Sequence, residues 1–263
     1  MRLDIYLTEK GVCKSREKAK DLILKGGVNV NGVSVSKPSF NVAPEDKVEF
    51  DASDLLPYVS KGGLKLERAI KEFGIDFKDK LVLDMGSSTG GFTDCALKHG
   101  AKFVWAVDVG TNQLDERLRN DQRISSIENT DIRSLKFEQI GSKVDAVIGD
   151  LSFISLNNVL KIIPSFIKDD GFVILLIKPQ FEVGIENVGK GGIVKNPKLH
   201  VKVIERIRAN ASEFQLYLLG LTYAPIVDLK KNIEYLALFK RDSCQLLNIE
   251  DVVSSAFLAK KEI

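Results

Sequence analysis

Histidine is nearly missing from this 263-residue chain, with His99 and His200 the two present, so a histidine-built metal centre is excluded. The three cysteines, Cys13, Cys95 and Cys244, are odd in number, widely spaced and form no C-x-x-C pair. That argues against a disulfide framework or a zinc site and for reduced thiols. Long hydrophobic runs are missing too. The most apolar stretch, Phe172 to Ile177, is far too short to span a bilayer, and no apolar run of signal-peptide length follows Arg2. A cytoplasmic protein with no metal and no membrane partner is expected. The chain has no overall excess of one charge, with 38 Lys and Arg against 36 Asp and Glu. Locally the balance shifts: Met1 to Lys37 carries eight basic and four acidic side chains, and this net +4 suggests an anionic partner for the amino-terminal module. With 44% hydrophobic residues, one or two domains with a true core are expected.

The dinucleotide fingerprint G-x-G-x-x-G is also absent where it would be looked for. The stretch Leu81-Val82-Leu83-Asp84-Met85-Gly86-Ser87-Ser88-Thr89-Gly90-Gly91-Phe92 reads as a buried strand, a glycine turn and a helix start. In an open α/β sheet a ligand binds at such a strand end. The glycine spacing does not suit a pyrophosphate, and Asp84 would repel one. A carboxylate there suits a cationic ligand, such as the amino-acid end of S-adenosyl-L-methionine; a generic nucleotide-binding domain with another ligand is the alternative. Asp108 ends the next strand, twenty-four positions after Asp84, a distance at which an acid takes ribose hydroxyls. Asp131 closes Asn129-Thr130-Asp131, from which a polar side chain could reach adenine. The candidate cofactor-binding residues are therefore Asp84, Gly86, Ser88, Thr89, Gly90, Gly91, Phe92, Asp108 and Asp131.

In chain order, residues 1–50 form a first unit. Leu3, Tyr6 and Leu7 have helical spacing, and Ser15 is a plausible N-cap for a second helix over Arg16 to Lys25. Val28, Val30, Val33 and Val35 alternate around Asn31-Gly32, a hairpin signal, with a closing strand near Lys47 to Phe50. Residues 51–60 read as a linker. Residues 61–263 form a second unit in which strands alternate with helices, as in a parallel sheet. Strands are expected near 81–84, 103–108, 124–127, 144–149, 172–178, 215–222 and 233–240. Helices are expected near 92–99, 113–119, 155–166 and 197–212, with a terminal helix over 248–261. Trp105 is expected in the core, His99 at a helix end and His200 on the surface. The glycine-rich segment between Glu182 and Pro197 is expected to be a mobile lid.

Two strand ends carry reactive groups, Asp150-Leu151-Ser152-Phe153 and Lys178-Pro179-Gln180-Phe181-Glu182. A lysine ending an apolar strand is costly to bury, so either a stabilising ion pair with Asp150 or a catalytic use is implied. Upstream, Ser15-Arg16-Glu17-Lys18-Ala19-Lys20-Asp21-Leu22-Ile23 and Gly27-Val28-Asn29-Val30-Asn31-Gly32 resemble the S4-like RNA-binding domain. Lys14, Arg16, Lys18, Lys20 and Lys25 are its candidate phosphate contacts. Lys65, Asp150, Lys178 and Glu234 resemble the Lys-Asp-Lys-Glu tetrad of FtsJ-like ribose 2′-O-methyltransferases. Together with Ala106-Val107-Asp108-Val109-Gly110, Ile154-Ser155-Leu156 and Asn232-Ile233-Glu234-Tyr235, these blocks make nearly the whole chain resemble the TlyA family of rRNA methyltransferases, also labelled haemolysin A-like.

The resemblance implies an α/β, Rossmann-like class I methyltransferase fold with a closing antiparallel strand pair, behind a small α+β S4-like domain. It also implies S-adenosyl-L-methionine as cofactor, and rRNA within a ribosomal subunit as partner. The expected reaction is 2′-O-methylation of a cytidine ribose in large-subunit rRNA, with small-subunit rRNA as a further target. Lys178 would be the base, Asp150 its orienter, and Lys65 and Glu234 the groups that position the ribose. A non-catalytic ribosome-assembly factor and a membrane-active haemolysin are the alternatives; an intact tetrad argues against the first and the lack of a spanning segment against the second.

Overall fold

The computed structural model describes residues 1–13, 15–50, 57–226, 228–241 and 247–262; Lys14, Cys244 and residues 51–56 of the expected linker lie outside them. The chain divides into two compact units, Met1–Pro57 and Tyr58–Ile263. Among the described residues no helix is long and apolar enough to cross a membrane.

The first unit packs α1 (Leu3–Glu9) and α2 (Arg16–Leu24) on a small antiparallel sheet of β1 (Val28–Val30), β2 (Val33–Ser34) and β3 (Val48–Phe50), in the order β2-β1-β3. Ser15 caps α2, its side chain accepting from the Lys18 amide at 3.3 Å. Asn31 and Gly32 both take positive φ, 53° and 78°, the geometry an Asn-Gly hairpin turn requires. Leu3, Leu7, Ala19, Ile23 and Val28 are fully buried and form its core. Asp4 is buried beside them, accepting from Arg2 Nε at 2.9 Å and pairing with Arg16 Nη2 at 3.0 Å. The Arg2 hydrogen bond, with help from Arg16, outweighs burial and holds the Asp4 carboxyl down at about 2. That pair of contacts ties the start of α1 to the start of α2.

The second unit runs α3 (Gly62–Phe73), β4 (Leu81–Met85), α4 (Gly91–Lys98), β5 (Phe103–Val107), α5 (Glu116–Arg119), β6 (Ile124–Ile127), α6 (Phe137–Ile140) and β7 (Val144–Gly149). It continues through α7 (Asn157–Leu160), α8 (Ile163–Phe166), β8 (Ile167–Ile177), α9 (Pro197–Glu213), β9 (Tyr217–Tyr223), β10 (Tyr235–Lys240) and α10 (Ile249–Lys261). The seven strands form one sheet, ordered β6-β5-β4-β7-β8-β10-β9. β4 to β8 pair in parallel, and β10 runs antiparallel to both β8 and β9.

Strand period divides the core in two. Odd-numbered residues such as Leu83, Met85, Val147, Val173, Leu175 and Ile177 pack in one cluster with Val203, Ile204 and Ile207 of α9. Even-numbered residues such as Val82, Ala146, Ile148, Ile174 and Leu176 pack in the other with Leu66 and Ile70 of α3 and Phe92 and Ala96 of α4. Successive side chains of a strand point to opposite faces, so the parity of a residue at a strand end fixes which helix layer it meets.

Three local expectations change. The helix expected over 155–166 is two short helices, because Pro164 lacks the N–H and carries the ring that a continuous helix would exclude. Trp105 is half-buried at the margin of the core, edge-on to Phe103 at 4.7 Å. His200, expected on the surface, is fully buried on the inward stripe of α9 with Val203, Ile204, Ile207 and Ala211. Its Nε2 donates to the Val194 carbonyl at 2.9 Å and its Nδ1 accepts from the Tyr235 hydroxyl at 2.9 Å, so a neutral ring satisfies both partners.

α3 and α4 meet at their amino ends through glycines. A Cβ on Gly91 would lie 2.3 Å from Ser60 Oγ and 2.9 Å from the Gly63 amide nitrogen, and a Cβ on Gly63 would lie 2.2 Å from Tyr58 Cγ. Tyr58 is itself buried. Gly63→Ala should therefore overpack the entry to α3 at a cost of about 1–3 kcal/mol. Thermal unfolding checks this: the melting temperature should drop by about 2–4 °C per kcal/mol, and an unchanged midpoint would contradict the close approach.

Candidate active site

The carboxyl edge of the sheet gathers the reactive groups. Asp84 is the next-to-last residue of β4, Asp150 and Lys178 directly follow β7 and β8, and Glu234 directly precedes the antiparallel β10, so it lies at the same edge. All four positions are even. Parity turns them toward the α3–α4 layer, where Lys65 occupies the first turn of α3.

There the four tetrad residues form one chain of contacts. Glu234 Oε2 lies 2.8 Å from Lys65 Nζ, which donates to Asp150 Oδ2 at 3.1 Å. Asp150 Oδ1 lies 2.6 Å from Lys178 Nζ, an ion pair rather than an aligned hydrogen bond, and Lys178 Nζ also donates to Ser152 Oγ at 2.6 Å. Lys178 is 8% exposed. Burial pushes the Asp150 carboxyl up, but the Lys65 and Lys178 charges more than offset it, and its pKa falls below the usual carboxylate range. Burial likewise opposes the Lys65 ammonium, and Asp150 with Glu234 reverses that and raises its pKa.

Beside this chain lie two cavities that share Gly86, Ser88, Asp150 and Ser152. The larger, about 530 Å³, is also lined by Asp108, Gln113, Thr130, Asp131 and Phe153. The smaller, about 170 Å³, reaches Thr89, Gly91, Phe92 and Lys178. Gly90 (φ 89°) has no room for a side chain, since a Cβ would lie 2.3 Å from Leu118 Cδ1. Asp108 accepts from the Ser88 amide at 2.7 Å and the Gly110 amide at 2.8 Å, so its carboxylate holds the loop and keeps lone pairs toward the larger cavity. Asp84 is fully buried; its Oδ2 accepts from Thr93 Oγ1 at 2.6 Å, and its Oδ1 has no hydrogen-bond partner. Burial drives its pKa up to about 7, against the pull of Thr93 and with the help of the Asp150 and Asp108 charges. A buried acceptor without a partner, next to a glycine-lined cradle, fits a cationic ligand with a nucleoside attached.

Asp131 reaches the larger cavity, but its carboxylate is engaged by Arg133, whose hydrogen bonds lower its pKa to about 2, and it caps the turn over Ile132–Ser134. An adenine contact from that side chain would have to share it with Arg133. Sequence reasoning missed Ser152, Gln113, Thr93 and Phe153. Phe153 is 91% exposed with φ 62°, a strained backbone for a bulky residue, and its ring lies 4.9 Å from that of Phe181. The Asp150-Leu151-Ser152-Phe153 block was in view, but only the turn geometry singles out its last two members. The glycine-rich segment 182–197 is held at both ends: Glu182 accepts from the Leu156 amide at 2.7 Å, and the Val194 amide donates to Asn232 Oδ1 at 2.9 Å.

On the first unit, Lys20 is exposed and Lys18 half-buried on α2, neither with a carboxylate partner among the described residues. Arg16 is committed to Asp4, and Lys25 to Asp21 at 3.0 Å.

A doubly wound parallel sheet closed by an antiparallel pair, with an acid and a glycine turn after its central strand, is the architecture of class I methyltransferases. The FtsJ-like methyltransferase family matches residues 58–241, and the S4 domain family matches residues 1–48. A protein called hemolysin A from Brachyspira hyodysenteriae is 43% identical over 91% of this chain and 99% of its own. The 16S/23S rRNA (cytidine-2′-O)-methyltransferase TlyA of Mycobacterium tuberculosis is 36% identical over 97% of this chain and 96% of its own. A solved structure carrying the hemolysin label, from Streptococcus thermophilus, is 39% identical, covers 100% of this chain and 97% of its own, and superposes with a TM-score of 0.77. The chain belongs to the TlyA family of FtsJ-like methyltransferases that carry an S4 domain.

The Asp84 environment has a measurable consequence. A carboxyl whose folded pKa is raised to about 7 costs stability as pH rises from its unfolded value near 3.9, and the cost is complete above pH 7. Asp84→Asn removes that ionisation. The difference in melting temperature, variant minus wild type, should grow from pH 4.5 to about 7 and then level off in protein without ligand. A difference that is flat with pH would mean Asp84 is not held in this state.

Proposed function

We propose that this protein transfers a methyl group from S-adenosyl-L-methionine to the 2′-hydroxyl of a cytidine ribose in ribosomal RNA. The observation that carries the reading is the unbroken chain Glu234–Lys65–Asp150–Lys178, with each contact at 3.1 Å or less, facing the glycine-lined cradle. When bound, the cofactor supplies an electrophilic methyl group on a sulfonium, whose carbon–sulfur bond breaks on transfer to leave a neutral thioether. Gly86, Ser88, Thr89, Gly90, Gly91 and Phe92 would shape its cradle, Asp84 would supply negative charge toward its cationic end, and Asp108, with Asp131 shared with Arg133, would take its nucleoside.

Lys178 takes the proton of the ribose 2′-hydroxyl as that oxygen forms its new bond to carbon, and becomes an ammonium that Asp150 stabilises. To serve as base it must first be neutral. Lys178 is 8% exposed and shares Asp150 with the Lys65 ammonium. Asp150 and Ser152 fix the direction of its lone pair. Lys65 and Glu234, paired at 2.8 Å, form the second wall on which the ribose is aligned. The exposed Phe153 ring at the mouth of the cleft suits stacking of an unpaired base, the form in which single-stranded RNA is read. Lys18 and Lys20 of the S4 domain, with Lys14, contribute phosphate contacts that set affinity rather than chemistry, while Arg16 and Lys25 are engaged by Asp4 and Asp21.

Purified protein incubated with methyl-labelled cofactor and each ribosomal subunit tests the reading. Label should appear in 2′-O-methylcytidine after nucleoside digestion, from the large subunit, the small subunit or both. Label in a base, or in no RNA despite cofactor binding, would reject it.

A further inference from the structure

A third cavity, of about 620 Å³, adjoins the reactive edge and has no part in the chemistry above. Residues 190–195 form one wall. Residues 229–233 form another and run directly into Glu234, and α10 adds Phe257 and Lys260. Lys190, Lys195, Lys230 and Lys260 line it, and none of its lining residues is a carboxylate. The first three are exposed and Lys260 is half-buried. Burial is the main cause that lowers the Lys260 pKa; the Asp228 carboxylate opposes it and the Lys195 charge adds to it. The floor is apolar, with Val194 and Ile233 buried and Phe257 half-buried.

The walls are fixed by specific contacts. Asn232 accepts from the Val194 amide at 2.9 Å and donates to the Gly192 carbonyl at 2.8 Å, clasping the two segments together. Buried His200 holds the Val194 carbonyl from behind, and Lys260 donates to the Lys231 carbonyl. A preformed cavity with a lysine rim and an apolar floor fits an anion that also has an apolar face, and a nucleotide has both. Ile233 in that wall is the chain neighbour of Glu234, so the cavity lies at the same edge of the sheet as the tetrad, on the side of α9 and α10. A strand whose ribose lies at the tetrad would carry its neighbouring nucleotide here.

We infer that this cavity binds the substrate RNA itself, taking a nucleotide that flanks the modified one, with its phosphates on Lys190, Lys195 and Lys230; this rests on the ribose-methylation reading above. The test combines Lys190→Gln, Lys195→Gln and Lys230→Gln in the full chain. The dependence of log binding constant on log salt for deproteinised ribosomal RNA should become shallower by about 2, since a phosphate contact to a single strand contributes about 0.7. The KM for RNA should rise severalfold, with kcat, cofactor affinity and melting temperature unchanged. In the wild-type complex the same three lysines should be shielded from acetylation by deproteinised RNA.

An unchanged salt slope, or a fall in kcat without a change in KM, would overturn the inference. So would shielding by the intact subunit but not by its RNA, which would assign the cavity to a protein surface. Binding and shielding are read without methyl transfer. Their failure with methylation intact rejects the cavity, whereas absent methylation with shielding intact rejects the catalytic reading.

Discussion

Asp150 is shared by two lysines, and the rest of the site is arranged around that carboxylate. Its two oxygens face Lys65 and Lys178 at 3.1 and 2.6 Å, and Lys65 passes the contact on to Glu234. Two cations and two anions in one partly buried line are neutral as a group, which is why an 8% exposed lysine can end an apolar strand. Removal of the central carboxylate would leave Lys178 without its carboxylate and Lys65 held by Glu234 alone, a loss on the order of 3–5 kcal/mol for a buried pair broken on one side. The line also gives direction. Lys178 is held from two sides, by Asp150 and Ser152, and it lines the smaller cavity.

The sheet supplies this arrangement at little cost because of period two. Four side chains from separate strands reach one helix layer through even parity at one edge, and α3 brings Lys65 from that layer. The glycines at 62, 63 and 91 then let α3 and α4 abut, which sets the depth of Lys65 relative to the glycine turn. The unpartnered oxygen of Asp84 and the backbone strain at Phe153 lie on the same edge. Unsatisfied and strained groups gathered beside a neutral ion-pair line are what a site prepared for a charged ligand and an unstacked base would hold in reserve.

Much of this was legible in the sequence. Leu81 to Phe92 announced strand, turn and helix through its apolar run and glycines, and Asn31-Gly32 announced its hairpin. Strand ends at Asp150 and Lys178 could be read from the runs before them; the even parity that fixes their face was available but unused. The resemblance supplied Lys65 and Glu234, which no local pattern links to the other two; they are 85 and 84 positions from Asp150. His200 was misread because it follows a Pro-Lys helix start, although its spacing to Val203, Ile204 and Ile207 was available. Asp131 and Arg16 were read as free for ligands, and neighbouring charges two and twelve residues away claim them. Pairing of that kind depends on loop conformation, which composition and periodicity do not encode. The cavity lined by Lys190, Lys195, Lys230 and Lys260 was illegible for the same reason, since its lysines come from three separate segments.

The central claim is that Lys178 accepts the ribose proton from the position Asp150 gives it. The most direct test is the single-turnover methyl-transfer rate of Lys178→Ala, measured beside its affinities for cofactor and RNA. The rate should fall by about 10²–10⁴, the usual worth of a positioned base, while both affinities stay within a few-fold of wild type. Transfer at the wild-type rate with both ligands bound would contradict the account.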